Sequence, residues 1–97
     1  MVVGIAVIEM HLPYARSLKD KRRVVKSLIE RLHARHRISV AETGFQDLHQ
    51  RAEIGVAAVT RTAAEAEALL EQIRRAADDE SEAEMLDWRP QILEEAG

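Results

Sequence analysis

The order of hydrophobic periodicities along the chain constrains its fold more than any other feature. Apolar stretches typical of β-strands occur in four places, and stretches with apolar residues every three or four positions, typical of α-helices, occur in two. They follow one another as strand, helix, strand, strand, helix and strand. Right-handed crossovers then place both helices on one face of an antiparallel sheet with strand order 4-1-3-2. The sequence therefore predicts an α+β fold, the ferredoxin-like βαββαβ sandwich.

Capping residues and turn-forming segments set the predicted boundaries. Ser17 is a suitable N-cap for a first helix over residues 18–36, and Thr62 with Glu65 forms a capping box for a second. Pro90 lacks a backbone N–H, so the strand that contains it belongs at an edge of the sheet. The strands are predicted at residues 2–12, 38–45, 51–60 and 84–93.

Length and composition narrow the class of protein. The chain has 97 residues, which suits a single domain over residues 1–97. It contains no cysteine and therefore needs neither disulfides nor thiolate ligands. The apolar opening run is cut by Glu9 far below membrane-spanning length, and no targeting motif precedes it. We predict a cytoplasmic protein with no membrane contact, no cofactor and no metal.

Charge is distributed unevenly along the chain. Residues 16–37 contain nine Lys and Arg against two carboxylates, whereas residues 61–97 contain four Arg against eleven carboxylates. The start of the first helix combines basic side chains with unpaired backbone N–H groups, an arrangement that favours anions. We predict an anion or nucleic-acid site, with structured RNA or the ribosome as partner, at five residues: Arg16, Lys19, Arg22, Arg23 and Lys26. The alternative is that these side chains are solvated and pair with acidic residues of the second helix.

A dense polar turn follows the second strand. We predict a functional turn formed by Gln46, Asp47, His49, Gln50 and Arg51. Asp47 is expected to satisfy backbone groups of the turn, and Arg51 is expected to pair with Asp47 or Glu53. A second possibility is a small-ligand or catalytic site formed by His11, Asp47 and His49, although their spacing matches no standard metal or catalytic motif.

The sheet face away from the helices is predicted to be apolar. In RNA-recognition motifs, aromatic side chains on the first and third strands stack on bases. Here those positions are aliphatic or glycine, which excludes that mode of binding. An apolar face of this size is expected to be covered, and a second copy of the chain is the simplest cover, so we predict a homo-oligomer. The residues concerned are Val3, Ile5, Val7, Gly55, Ala57 and Val59.

Two segments together resemble a known family. These segments are Ser17-Leu18-Lys19-Asp20-Lys21-Arg22-Arg23-Val24-Val25-Lys26-Ser27-Leu28 and Gln46-Asp47-Leu48-His49-Gln50-Arg51-Ala52. They are similar to the YlxP-like family of small bacterial proteins, and the similarity spans most of the chain. Phe45 departs from the family pattern, which has histidine before Gln46. The resemblance implies a ferredoxin-like domain of unassigned activity, and the proximity of family genes to translation genes favours RNA or ribosome association.

Three hypotheses of function remain open. The first is a non-enzymatic accessory domain that associates with RNA or the ribosome through the basic helix. The second is a protein-interaction or self-assembly module, and the third is an enzyme or small-ligand binder with a site near His11, Asp47 and His49. Exposure of the basic side chains favours the first hypothesis, whereas a pocket around the polar turn would favour the third.

Overall fold

The strands and helices occur in the predicted order. The computed structural model describes residues 1–95. The strands form a four-stranded antiparallel sheet in the order β2-β3-β1-β4, which is the predicted order 4-1-3-2 read from the other edge. The predicted α+β class and topology are therefore confirmed. The elements are β1 (Val2–His11), α1 (Leu18–Arg35), β2 (Ser39–Gly44), β3 (Arg51–Thr60), α2 (Ala63–Asp78) and β4 (Glu84–Glu94).

Both helices begin at the predicted caps. The Ser17 hydroxyl accepts a hydrogen bond from the Asp20 N–H at 3.1 Å, and the Thr62 hydroxyl accepts one from the Glu65 N–H at 3.1 Å. Each cap satisfies a backbone donor that has no partner within its helix, which stabilises the helix start by about 1 kcal/mol.

The core lies between the helices and one face of the sheet. Alternate residues of β1 and β3 are buried, as the two-residue period of a strand requires. Ile8, Ile54, Leu32 and Ile73 are almost fully buried and anchor the layer between sheet and helices. The intervening strand residues lie on the opposite side of the sheet, which we call the open face. No helix of residues 1–95 is long and apolar enough to cross a membrane.

The edge strand β4 is poorly suited to pairing with another strand. Pro90 has no N–H, and the Trp88 N–H donates to the Asp87 carboxylate at 3.0 Å. A register shift opposite Glu9 and Met10 inserts Leu86 as an extra residue. Proline, a locally satisfied donor and a bulge are all features that protect sheet edges from aggregation. The bulge was not predicted, because nothing in the sequence pattern marks it.

Candidate functional site

Three segments meet at one end of the molecule, as the topology predicts. We call this end the loop-end surface; it comprises residues 12–19, 45–50 and 79–83. The Leu12 N–H donates to the Gln50 carbonyl at 2.9 Å, and the Gln50 side-chain amide donates to the carbonyls of Pro13 at 3.4 Å and Ala15 at 3.3 Å. These bonds fasten the turn between β2 and β3 to the segment that leads into α1.

A buried lysine anchors the loop-end surface from below. The Lys21 side chain is only 1% exposed. Its Nζ donates to the Phe45 carbonyl at 2.7 Å and to the Arg51 carbonyl at 3.2 Å, and it lies 2.9 Å from Oε2 of Glu42. Two of the three ammonium donors are used by the carbonyls, and the contact with Glu42 is an ion pair in which Oε2 accepts no hydrogen bond from residues 1–95. Lys21 therefore ties α1 to both ends of the turn between β2 and β3.

The turn itself begins with an unusual backbone conformation. Phe45 has a φ of 59°, in the left-handed region that non-glycine residues rarely occupy. Its carbonyl accepts from both Lys21 Nζ and the Leu48 N–H, and the Arg51 guanidinium lies 5.1 Å from the centre of its ring. These contacts hold Phe45 in place and offset the backbone strain. The turn is thus a fixed part of the surface.

The predicted basic residues divide into two groups. Arg23 makes a two-pronged contact with the Glu82 carboxylate, with N–O distances of 3.0 and 3.2 Å. Lys26 lies 4.0 Å from Glu30, at the limit of an ion pair. Among residues 1–95, the other three form no ion pair, and all three are exposed. We call these three, Arg16, Lys19 and Arg22, the basic patch.

The Arg23 contact is strong enough to move the titration of both partners. Hydrogen bonding from Arg23, together with its charge, lowers the pKa of the Glu82 carboxyl below 4.5, and the same contact raises the pKa of Arg23. On α2, hydrogen bonding from Arg74 lowers the pKa of Glu71 to about 2. Part of the negative charge of α2 is thus neutralised by arginines of the same helix. The carboxylates that pair with α1 come from the loop after α2. Glu82 pairs with Arg23, and Glu80 pairs with Arg31.

The start of α1 is already capped by the chain itself. Ser17 accepts from the Asp20 N–H, and the Asp20 carboxylate accepts from the Arg16 N–H at 2.9 Å. A carboxylate therefore stands where the predicted anion would approach the helix N-terminus. Any attraction for anions comes from the basic side chains, and the helix dipole contributes little.

The polar turn differs in detail from its prediction. Gln46 donates to the Glu42 carbonyl at 3.3 Å, and Gln50 makes the bonds described above. Asp47 is exposed and, among residues 1–95, forms no hydrogen bond, because Leu48 and Phe45 close the turn through their backbones. The expected pairing of Arg51 with Asp47 or Glu53 is wrong. Arg51 pairs with Glu9 on the neighbouring strand, and Glu53 pairs with Thr43 and Arg89.

The residues of the suggested catalytic site have different surroundings in the described residues 1–95. Nδ1 of His11 lies 2.7 Å from Glu84 on β4, whereas Asp47 and His49 project from the turn as exposed side chains. The depressions between α2 and β4 and on the open face are lined by other residues. Within residues 1–95, no group of three or more His, Asp or Glu is placed to hold a metal ion.

Two residues that hold this surface together, Lys21 and Glu42, were not predicted as site residues. Lys21 falls at helical spacing with the buried residues Val24, Val25 and Leu28, and Glu42 lies between partly buried positions of β2. A charged residue within an apolar stripe must be paired when it is buried, so the spacing of Lys21 alone was a usable signal. Its partners were not predictable, because two of them are backbone carbonyls.

Comparisons with known proteins agree with the fold and with the resemblance. A family model described as "Protein of unknown function (DUF503)" matches residues 3–90. "Uncharacterized protein YlxP" of Bacillus subtilis (strain 168) is 35% identical over 72 residues, which are 74% of this chain and 78% of that protein. The structure is also similar to a de novo designed protein with ferredoxin fold, LFR1 1, with a TM-score of 0.55. The match covers 100% of this chain and 88% of the designed protein. Its identity of 14% makes it similar in fold alone.

Proposed function

We propose that this chain, which belongs to the DUF503 family of proteins of unknown function, binds structured RNA through the basic patch. The RNA is bound either alone or as part of the ribosome. The observation that carries the proposal is the exposure of Arg16, Lys19 and Arg22 without carboxylate partners among residues 1–95. Most other basic side chains near this surface are engaged, as Arg23 is with Glu82. These three retain their capacity to meet phosphates.

The geometry of the patch suits a phosphate backbone. Lys19 and Arg22 lie three positions apart on α1, so they project from the same outward side of the helix, and Arg16 precedes the helix on the same surface. Lys26 continues this side one turn further along. A row of cations along a helix can follow successive phosphates of one strand, and it reads backbone shape without reading sequence.

The net charge of the protein limits the strength of this binding. The chain carries a net charge of −3, so most of its surface repels a polyanion. Binding is therefore confined to the patch. With about three phosphates engaged, affinity falls by roughly one to two decades between 50 and 200 mM salt, because each contact releases counterions.

A pair of matched double variants tests the proposal. Lys19→Glu with Arg22→Glu reverses two of the three charges of the patch, at exposed residues of α1. Arg35→Glu with Arg61→Glu makes the same change of net charge at the opposite end of the molecule, again at exposed residues. In gel shifts with a labelled RNA hairpin, and in cosedimentation with ribosomes at low salt, the first variant loses binding and the second retains it.

Two results contradict the proposal. The first is the absence of RNA and ribosome binding by the unaltered protein at low salt. The second is an equal loss of binding in both double variants, which indicates a response to net charge and not to the patch. Thermal melting of each variant by circular dichroism verifies that the fold persists.

A further inference from the structure

We propose that the open face of the sheet is the interface of a homodimer whose two-fold axis runs parallel to the strands. This face is independent of the basic patch. It lacks a cover within residues 1–95, and Val59 and Leu93 on it are 69% and 45% exposed. Large apolar side chains gathered on one face of a soluble domain mark a contact surface.

The relief of the open face is self-complementary. The strand pairing places Val3, Ile5 and Val7 of β1 in a row, and these bulky side chains form a ridge. Beside it, Gly55 and Ala57 of β3 with Ser39 and Ala41 of β2 form a trough of small residues. A depression of about 340 Å³ lies along this trough, bordered by Ile5. Ile5 and Val7 of the ridge therefore match the trough positions Ala57 and Gly55 of a second copy, and Val3 matches Val59 in an apolar contact at the end of the face.

This relief selects the direction of the symmetry axis. Two sheets that pack face to face can be related by an axis along the strands or by an axis across them. An axis across the strands places β1 on β1, so ridge meets ridge and trough meets trough. An axis along the strands places β1 of one copy over β3 of the other, so each ridge enters a trough. It also places β4 over β2 of the other copy.

Charge and area are compatible with this dimer. Arg37 borders the open face at its other end, where it is exposed beside Val59 and forms no ion pair among residues 1–95. The charged residues at the loop end of the face are paired within the chain, Arg51 with Glu9 and Arg89 with Glu53 and Asp87. Covering the face leaves none of these charges without a partner. From strand length and spacing, the face has a flat area of roughly 600 Å² before side-chain relief is added, close to the ~800 Å² per partner of a standard interface.

The mass of the protein in solution tests the dimer. We expect light scattering to give twice the chain mass of 10.9 kDa. Ala57→Lys places a charge at the centre of the interface, opposite Ile5 of the partner, and weakens the dimer by at least about 100-fold. Ala68→Lys, on the exposed side of α2, adds the same charge to the same residue type and leaves the dimer intact. A monomer at about 100 µM, or equal behaviour of the two variants, overturns the proposal.

Cysteine cross-linking tests the axis. The chain has no cysteine, so introduced thiols have no competitors. Ser39 and Gln91 are both exposed and lie in the same row of the open face, at opposite edges of the sheet. In the proposed dimer, Ser39 of one copy faces Gln91 of the other. The two copies of Ser39 are about 14 Å apart across the strands, and so are the two copies of Gln91. Facing sheets pack about 10 Å apart, too far for a direct disulfide, so a short bismaleimide links a mixture of Ser39→Cys and Gln91→Cys proteins into dimers. Cross-linking of either variant alone, without enhancement in the mixture, overturns the axis.

Discussion

Replacement of Lys21 is the most direct test of how the loop-end surface is held together. Lys21→Met keeps most of the volume of the side chain but removes the group that contacts Phe45, Arg51 and Glu42. It leaves two carbonyls without their donor and the Glu42 carboxylate without its ion-pair partner. Loss of one member of a buried ion pair costs about 3–5 kcal/mol. The Glu42 side chain is 18% exposed and regains some hydration, so we expect the lower end, about 3 kcal/mol.

Urea denaturation measures this loss, and Lys19→Met is the matched control. For a chain of this length, 3 kcal/mol lowers the melting temperature by at least about 10 °C. Lys19 is exposed on the other side of the same helix, and its replacement changes stability by less than about 0.5 kcal/mol. Adding Glu42→Gln to Lys21→Met restores part of the loss, because the stranded carboxylate is then removed. A loss below about 1 kcal/mol for Lys21→Met would show that water replaces its contacts and would refute the reasoning.

Three further predictions concern the same surface. The pKa of Glu82 lies below 4.5 in the folded protein and returns toward 4.5 in Arg23→Gln, which carbon-detected NMR titration can show. Because folding lowers this pKa, the pair stabilises the folded protein above about pH 4.5. This stabilisation is lost as the pH falls through the lowered pKa. Asp47→Ala changes stability by less than about 0.5 kcal/mol in urea denaturation, since Asp47 is exposed, and a larger loss would reveal a contact. Gln50→Ala lowers the free energy of unfolding by about 1 kcal/mol in the same assay, and it speeds hydrogen exchange at the Leu12 N–H. Unchanged exchange would show that the Gln50 side chain does not hold the turn against the segment before α1.

The sequence was sufficient for the topology because several independent signals agreed. Ser17 and Thr62 marked the helix starts, and Pro90 marked an edge strand. Each signal acts locally, through a cap or a missing N–H, so it can be read without knowing what packs against it. The residues assigned to the open face, among them Val3, Ile5 and Ala57, do lie on the side of the sheet away from the helices.

The site was less predictable because its contacts are made between distant segments. Arg51 pairs with Glu9 because the register of β1 and β3 brings these strands together, and that register follows from packing rather than from neighbouring residues. Arg23 reaches Glu82, which is 59 positions away. Charge counts along the chain located the cations of α1, but they did not distinguish cations that are already paired from those that have no partner among residues 1–95.

The two proposed surfaces, taken together, predict a bivalent protein. A two-fold axis along the strands keeps both loop-end surfaces at the same end of the dimer, while the outward sides of the two α1 helices point in opposite directions. One RNA that wraps around this end contacts both basic patches. Linked sites bind more tightly than single ones because the second contact is intramolecular, and we expect a gain of at least about tenfold. The Ala57→Lys variant therefore binds RNA more weakly than Ala68→Lys, although both carry the same added positive charge and an unaltered patch. Equal affinity of the two variants, with Ala57→Lys shown to be monomeric, would mean that each chain binds RNA on its own.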